Sequence, residues 1–232
     1  MIISHRHRFI YLKCRKVGST SVEVALADLC GPEDVVTPLD GAKTRADGRR
    51  HVNWQNHDVP RDRWPLLARA LVAAGVSKRA AGVEYFNHIR AARLRRLLGA
   101  EVFDGYLKVA IERNPWDREV SNFYFHHPKP EGRPSFEEFL RRHTRRKPID
   151  NFDIYSIDGR VVADIVLRHE RLDEDFAALM ARLGIDPTPA LPRARSHQRP
   201  DKGRYRDLYT TETRDLVARL YAREIRTFGY EF

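Results

Sequence analysis

The sequence predicts an α/β fold in which a parallel sheet is flanked by helices. Three short apolar segments, 9–13, 106–111 and 161–167, are each followed by a helical pattern. Strands that alternate with helices form parallel sheets through right-handed crossovers, and near-continuous apolar runs are typical of strands covered on both faces. The chain has 232 residues, which is enough for one sizeable core. We therefore expect a single domain over residues 1–232.

Local signals place the other elements along the chain. The first strand leads into a helix over 19–30, and loops are expected over 31–62 and 187–200. An extended segment is predicted at 81–87. Ser135 is expected to cap the helix that follows it, because its hydroxyl can accept a hydrogen bond from a free backbone N–H. Further helices are predicted at 64–74, 89–98, 136–145, 172–183 and 210–227.

The turn after the first strand has the features of a phosphate cradle. Gly18 lets the backbone approach an anion closely, and a helix N-terminus offers unpaired N–H groups and positive potential. Ser19, Thr20 and Ser21 add hydroxyl donors, and Lys16 adds a mobile positive charge. The Walker A spacing fails because the lysine precedes the glycine, so ATP with magnesium is not the favoured ligand.

A second cationic turn follows the strand at 106–111. The chain reaches Arg113 directly after Glu112, and Pro115 suits the first turn of a helix that carries Arg118 and Ser121. Such a turn again favours a phosphate ligand, whereas Glu112 is expected to pair with a neighbouring cation. Two turns of this kind predict a ligand with two phosphate groups.

Together the two segments resemble the sulfotransferases that use 3′-phosphoadenosine 5′-phosphosulfate (PAPS). The run from Lys16 to Ser21 is similar to their 5′-phosphosulfate loop, K-x-G-[ST]-[ST]-[ST]. The run from Arg113 to Ser121 is similar to their 3′-phosphate signature, R-[ND]-P-x-x-R-x-x-S. The likeness is greatest to the bacterial and Golgi carbohydrate-type enzymes and weakens over 31–82. It implies a P-loop-NTPase-like sulfotransferase fold, PAPS as co-substrate, no metal, and an acceptor hydroxyl or amine bound by 31–82.

The resemblance also implies roles for individual residues. Lys16 would stabilise the charge that develops on the 5′-phosphate as the sulfuryl group leaves. His88 would act as the general base, since carbohydrate-type relatives carry a catalytic histidine at this place, and His57 is the alternative. Lys202 and Arg204 lie in a turn similar to the loop that closes over the 3′-phosphate and adenine. If a histidine is the base, the pH profile of kcat/KM should have an acid limb that rises with an apparent pKa of about 6–7.

Composition limits the expected partners. The net charge is +10 at pH 7, and a basic chain is the electrostatic footprint of a polyanion partner. The basic residues are nevertheless spread without a nucleic-acid-binding motif, so we expect a small-molecule or carbohydrate acceptor and no nucleic acid. No apolar run is long enough to cross a bilayer and no signal peptide is evident, which favours a cytoplasmic protein without a membrane partner.

The remaining features leave alternatives open. Cys14 and Cys30 have no cysteine at metal-binding spacing and are expected to be reduced core thiols. The arginine clusters at 90–96 and 141–146 are expected to be solvated helix faces, with a groove for an acidic acceptor as the alternative. A P-loop-like kinase or phosphotransferase, and a non-catalytic module that binds a polyanion, are the competing functions.

Overall fold

The computed structural model describes residues 1–37, 58–192 and 204–232, with the backbone alone at His143. The strands are β1 (Ile2–Ser4), β2 (Phe9–Leu12), β3 (Val35–Val36), β4 (Leu107–Glu112), β5 (Ser156–Ile157), β6 (Arg160–Val161) and β7 (Ile165–Arg168). Five of them form a central sheet in the order β3–β1–β2–β4–β7, and β5 and β6 form a separate hairpin. The strands that the sequence predicts correspond to β2, β4 and β7, which are neighbours on one side of this sheet, whereas β1 and β3 were not predicted.

The direction of the strands differs across the sheet. β2, β4 and β7 are parallel neighbours, whereas β1 runs antiparallel to both β2 and β3. The predicted α/β class, with a sheet flanked by helices, is confirmed, and the expectation of a wholly parallel sheet is wrong at this edge. The reason is local: only a short turn joins β1 to β2, and strands joined so closely can pair only antiparallel.

The helices follow the predicted order, with several shifts at their ends. They are α1 (Ser19–Ala27), α2 (Leu66–Ala73), α3 (Ala91–Leu98), α4 (Ala100–Gly105), α5 (Pro115–His126), α6 (Phe136–Phe139), α7 (Phe152–Tyr155), α8 (Leu172–Arg182), α9 (Thr211–Leu220) and α10 (Ala222–Phe228). The short helices α4 and α7 were not predicted, because neither is long enough to show a periodic apolar face.

Three predicted elements are divided. The helix expected at 136–145 is α6 followed by a π-helical turn, the strand expected at 161–167 begins only at Ile165, and the helix expected at 210–227 breaks at Tyr221. The Tyr221 hydroxyl donates to Glu119 (2.5 Å) and accepts from the Ile149 backbone N–H (3.0 Å). Contacts between such distant parts of the chain leave no local signal in the sequence.

A buried charge network joins the end of the sheet to the helices. Arg118 is fully buried, and its guanidinium donates to the Glu112 carboxylate (2.6 Å) and lies 4.4 Å from the centre of the Tyr221 ring. The Tyr155 hydroxyl donates to the other oxygen of Glu112 (2.7 Å). The prediction that Glu112 pairs with a neighbouring cation is confirmed. Arg118 therefore supports the fold from inside, away from any ligand in solvent.

The other composition-based expectations concern cysteines and surface arginines. Cys14 and Cys30 are free and buried, and burial raises the pKa of both thiols, so the prediction of reduced core thiols is confirmed. In the two arginine clusters, Arg95 pairs with Asp104 (2.6 Å) and Arg141 pairs with Glu137 (3.0 Å) on exposed helix faces. These pairs fit solvated surfaces better than a binding groove.

Removing the cap of α6 should cause a modest loss of stability. The Ser135 side chain accepts from the backbone N–H of Glu138 (3.1 Å), as predicted. Ser135→Ala leaves that N–H without its partner, and we expect the free energy of unfolding to fall by about 1 kcal/mol. Urea unfolding followed by circular dichroism measures this change. An unchanged midpoint would mean that the cap contributes nothing, and Ser135→Asp should retain the wild-type value.

Candidate functional site

The site lies where the three parallel strands end. The chain leaves β2 into the turn that contains Gly18, leaves β4 at Arg113, and leaves β7 at His169. Because the carboxyl ends of parallel strands meet at one edge of a sheet, these three segments are neighbours there. Open α/β sheets bind their ligands at this edge.

The backbone after β2 is shaped as a cradle at the start of α1. Gly18 precedes the helix with φ +79° and, being a glycine, supplies no capping side chain. A Cβ atom on Gly18 would lie 3.0 Å from Nδ1 of His169, so both the dihedral angle and the space require glycine. Ser19, Thr20 and Ser21 form the first turn of α1, as predicted. A helix start that begins after a glycine and carries three hydroxyls suits an anion.

Lys16 has an unusual backbone and a defined side-chain position. Its φ is +61°, a left-handed conformation that residues other than glycine adopt uncommonly. Its ammonium lies 4.0 Å from the centre of the Phe125 ring on α5, in a cation–π contact. The Lys16 ammonium therefore packs against α5, the helix that carries Ser121 of the second predicted phosphate segment.

Arg113 directly links the two motifs. It is largely buried, its Nη1 donates to the backbone carbonyl of Lys16 (3.5 Å), and its Nε donates to Asp117 (2.7 Å). Pro115 is the first helical residue of α5, as the sequence predicts, and Asn114 caps this helix. Ser121 is half-buried in the following turns of α5. The structure thus brings Arg113 to the Lys16 loop, although the two are 97 residues apart.

His169 is a residue of this site that the sequence analysis did not assign. Its Nδ1 lies 3.1 Å from the backbone carbonyl of Val17, and burial, followed by the positive charge of Arg113, lowers its pKa to about 4. With Ser21 it lines an open cleft of about 530 Å³ that adjoins the cradle. Its position directly after β7 was the available signal, since the other two loops also follow strand ends.

His88 is attached to the end of β2. Its Nδ1 lies 2.9 Å from the backbone carbonyl of Lys13, and a carbonyl only accepts, so Nδ1 carries the proton and Nε2 keeps its lone pair. Burial lowers the pKa of His88 to about 4. This pKa lies below the 6–7 expected for the acid limb, so in the free protein we now expect that limb at lower pH. His88 also has φ +62°.

The remaining predicted residues are placed less completely. Lys202 and His57 lie outside the described residues, as do residues 38–57 of the loop expected at 31–62 and residues 193–200 of the loop expected at 187–200. Arg204 is exposed just before the short 3₁₀ turn Tyr205–Leu208, and the Asn114 amide donates to the hydroxyl of Tyr205 (3.4 Å). The segment after Arg204 therefore adjoins the start of α5.

Within residues 1–37, 58–192 and 204–232, no group of three or more His, Cys, Asp or Glu side chains is arranged to hold a metal ion. In the same ranges, every helix is too short or too polar to span a bilayer.

Comparison with known proteins agrees with the geometry of the site. The family model described as "Sulfotransferase family" matches residues 1–231. An uncharacterized protein from Archaeoglobus fulgidus is 33% identical over 96 residues, which make up 40% of this chain and 79% of the relative. No solved structure matches the chain. With a family match over nearly its whole length, this chain belongs to the sulfotransferase family.

Proposed function

We propose that this protein transfers a sulfuryl group from PAPS to a hydroxyl or amine of a small-molecule or carbohydrate acceptor. The observation that carries the proposal is the contact between the two predicted phosphate segments, in which Arg113 donates to the backbone of Lys16. A donor with phosphates at the 5′ and 3′ positions of one ribose needs two anion sites side by side. The contact between the cradle at Gly18 and the turn at Arg113 supports their assignment as such a pair.

The proposal assigns one orientation to the donor. The 5′-phosphosulfate would lie on the N–H groups and hydroxyls of Ser19, Thr20 and Ser21, and the 3′-phosphate would lie between Arg113 and Ser121. The cleft lined by Ser21 and His169 is large enough for the nucleoside part of the donor. In this proposal, Lys202 and Arg204, from the C-terminal part of the sequence, close over the nucleotide.

The reaction is an in-line displacement at sulfur. The acceptor oxygen forms a bond to sulfur while the bond from sulfur to the bridging oxygen breaks, and that electron pair stays on the 5′-phosphate of the product, adenosine 3′,5′-bisphosphate. Negative charge therefore grows on the bridging oxygen. An ammonium at that point stabilises the transition state more than the ground state, which is the role proposed for Lys16.

His88 is the proposed acceptor of the proton. Its tautomer leaves Nε2 free to receive the proton of the acceptor hydroxyl, and its lowered pKa keeps the imidazole neutral at pH 7. The negative charges of bound PAPS favour the imidazolium and would raise this pKa in the complex. The base would thus become stronger when the donor is in place.

Residues 31–82 are proposed to shape the acceptor site. A cytoplasmic location stays a prediction.

A binding comparison separates this function from the two alternatives. Calorimetry should show that adenosine 3′,5′-bisphosphate binds more tightly than ADP with magnesium. The reverse order would favour a P-loop-like kinase or phosphotransferase. Salt-sensitive binding to random DNA, together with equal affinities for the two nucleotides, would favour a polyanion-binding module. Transfer of labelled sulfate from PAPS to a panel of acceptors then tests the activity itself.

Removing Arg113 or Ser121 should weaken binding selectively. We expect Arg113→Ala to weaken adenosine 3′,5′-bisphosphate by about 10- to 100-fold, because a charged hydrogen bond to the 3′-phosphate is lost. Ser121→Ala should cause a smaller loss in the same direction. Adenosine 5′-monophosphate lacks the 3′-phosphate, so its affinity should change little. Calorimetry with both nucleotides measures the difference.

The matched control for this pair is Ser135→Ala, which lies outside the site and should leave both affinities unchanged. Equal weakening of the two nucleotides by Arg113→Ala would show that Arg113 does not bind the 3′-phosphate. Its contact with the Lys16 carbonyl would then be its main role.

A further inference from the structure

Asn151 holds the backbone of the residue that precedes Lys16. Its side-chain oxygen accepts from the Arg15 backbone N–H (2.8 Å), and its side-chain amide donates to the Arg15 carbonyl (3.0 Å). Asn151 is fully buried just before α7, 136 residues away in the sequence. One amide side chain thus satisfies both backbone groups of Arg15, as a neighbouring β-strand would.

This clamp acts on a strained part of the backbone. Lys16, the next residue, has φ +61°, and a lysine keeps such a conformation only where its surroundings impose it. Asn151 fixes the chain before Lys16, and Arg113 donates to the Lys16 carbonyl (3.5 Å) after it. The Lys16 ammonium lies over the ring of Phe125. The backbone of Lys16 is therefore held on both sides and its side chain is given a direction.

We propose that Asn151 is a positioning residue for Lys16. It keeps the turn after β2 in the conformation that directs the Lys16 ammonium at the bridging oxygen of the donor. The inference rests on the proposed function, in which that ammonium stabilises the leaving group. Stabilisation of this kind depends on geometry, since a misplacement of about 1 Å can cost about 100-fold in rate. The side chain of Asn151 itself touches neither donor nor acceptor.

Asn151→Asp tests the clamp with little change in volume. The carboxylate can still accept from the Arg15 N–H, but its second oxygen faces the Arg15 carbonyl and repels it. We expect kcat to fall at least about tenfold while the affinity for adenosine 3′,5′-bisphosphate changes far less. Ile154→Val is the matched control, because it removes one methylene from the buried face of α7 and should lower the melting temperature without lowering kcat. If Asn151→Asp does not fold, Asn151→Ser removes the clamp without burying a charge.

A double-mutant cycle with Lys16→Met decides whether Asn151 acts through Lys16. If it does, adding Asn151→Asp to Lys16→Met should lower kcat by less than about twofold more, because no ammonium is left to position. Losses that multiply fully would overturn the inference while the proposed function stands. Wild-type kcat in Lys16→Met alone would overturn the proposed role of Lys16, and the inference with it.

Discussion

Replacing Lys16 by methionine is expected to lower kcat about 10²–10³-fold, with a much smaller effect on the affinity for adenosine 3′,5′-bisphosphate. Methionine keeps an unbranched side chain that can still pack on the Phe125 ring, so the substitution removes the charge and little else. In the proposed site, the product nucleotide is also held by the cradle at Gly18 and by Arg113. The charge of Lys16 matters most when electrons arrive on the bridging oxygen, which happens only during transfer.

Arg15→Met is the matched control for Lys16→Met. Arg15 is an exposed cation in the same turn, so its replacement removes an equal charge one residue away. If the lysine only attracts the anionic donor through its charge, the two substitutions should lower kcat by similar factors, and both effects should become smaller as the salt concentration rises. A specific role predicts a large loss of kcat for Lys16→Met and a small one for Arg15→Met. Equal losses in the two variants, measured by single-turnover transfer of labelled sulfate, would contradict the assignment.

The parts of the fold that the sequence predicts are those with a local cause. β2 and β4 are apolar runs next to turn residues, and Ser135 is a cap whose hydrogen bond lies within a few residues. The two phosphate segments were recognisable for the same reason, because a helix start and its preceding turn are contiguous in sequence. Their meeting at one edge of the sheet then follows from parallel pairing of β2 with β4.

The features that the sequence does not predict depend on distant contacts. Asn151 meets Arg15 across 136 residues, and neither residue type has a pattern that identifies the other. His169 joins the site only because β7 pairs with β4. The second arginine of the 3′-phosphate signature, Arg118, is buried on Glu112 and serves the fold, which a motif read along the chain cannot distinguish from ligand binding. Burial also lowers the pKa of His88, and burial is a property of the folded chain.

Replacing His88 by asparagine is expected to lower kcat about 10²–10⁴-fold and to leave the affinity for adenosine 3′,5′-bisphosphate nearly unchanged. His88 has φ +62°, and asparagine tolerates this conformation better than alanine does. Asparagine can also donate to the Lys13 carbonyl as the imidazole does, but it cannot take up a proton. His88→Asn therefore separates the loss of the base from the loss of structure, whereas His88→Ala should lower the melting temperature as well.

His57→Asn is the comparison that assigns the base. If His88 is the base, His57→Asn should retain most of the wild-type kcat with the same acceptor. A loss of kcat in His57→Asn, together with a lowered melting temperature and retained kcat in His88→Asn, would place the base in the 31–82 segment. The role of His88 would then be to join its own turn to the end of β2 through the Lys13 carbonyl.

The protonation of His88 gives a test that does not depend on turnover. Its ring protons, followed by NMR in the free protein, should titrate with a pKa of about 4, because burial disfavours the imidazolium. Between about pH 4 and 6.5 the unfolded chain then binds the His88 proton more readily than the folded protein does. The free energy of unfolding is therefore unaffected by His88 above about pH 6.5 and decreases as the pH falls from there towards 4. Adding adenosine 3′,5′-bisphosphate should raise the pKa, since its phosphates favour the charged ring. A pKa of about 6–7 that the nucleotide does not move would contradict both the burial of His88 and its proposed place beside the donor.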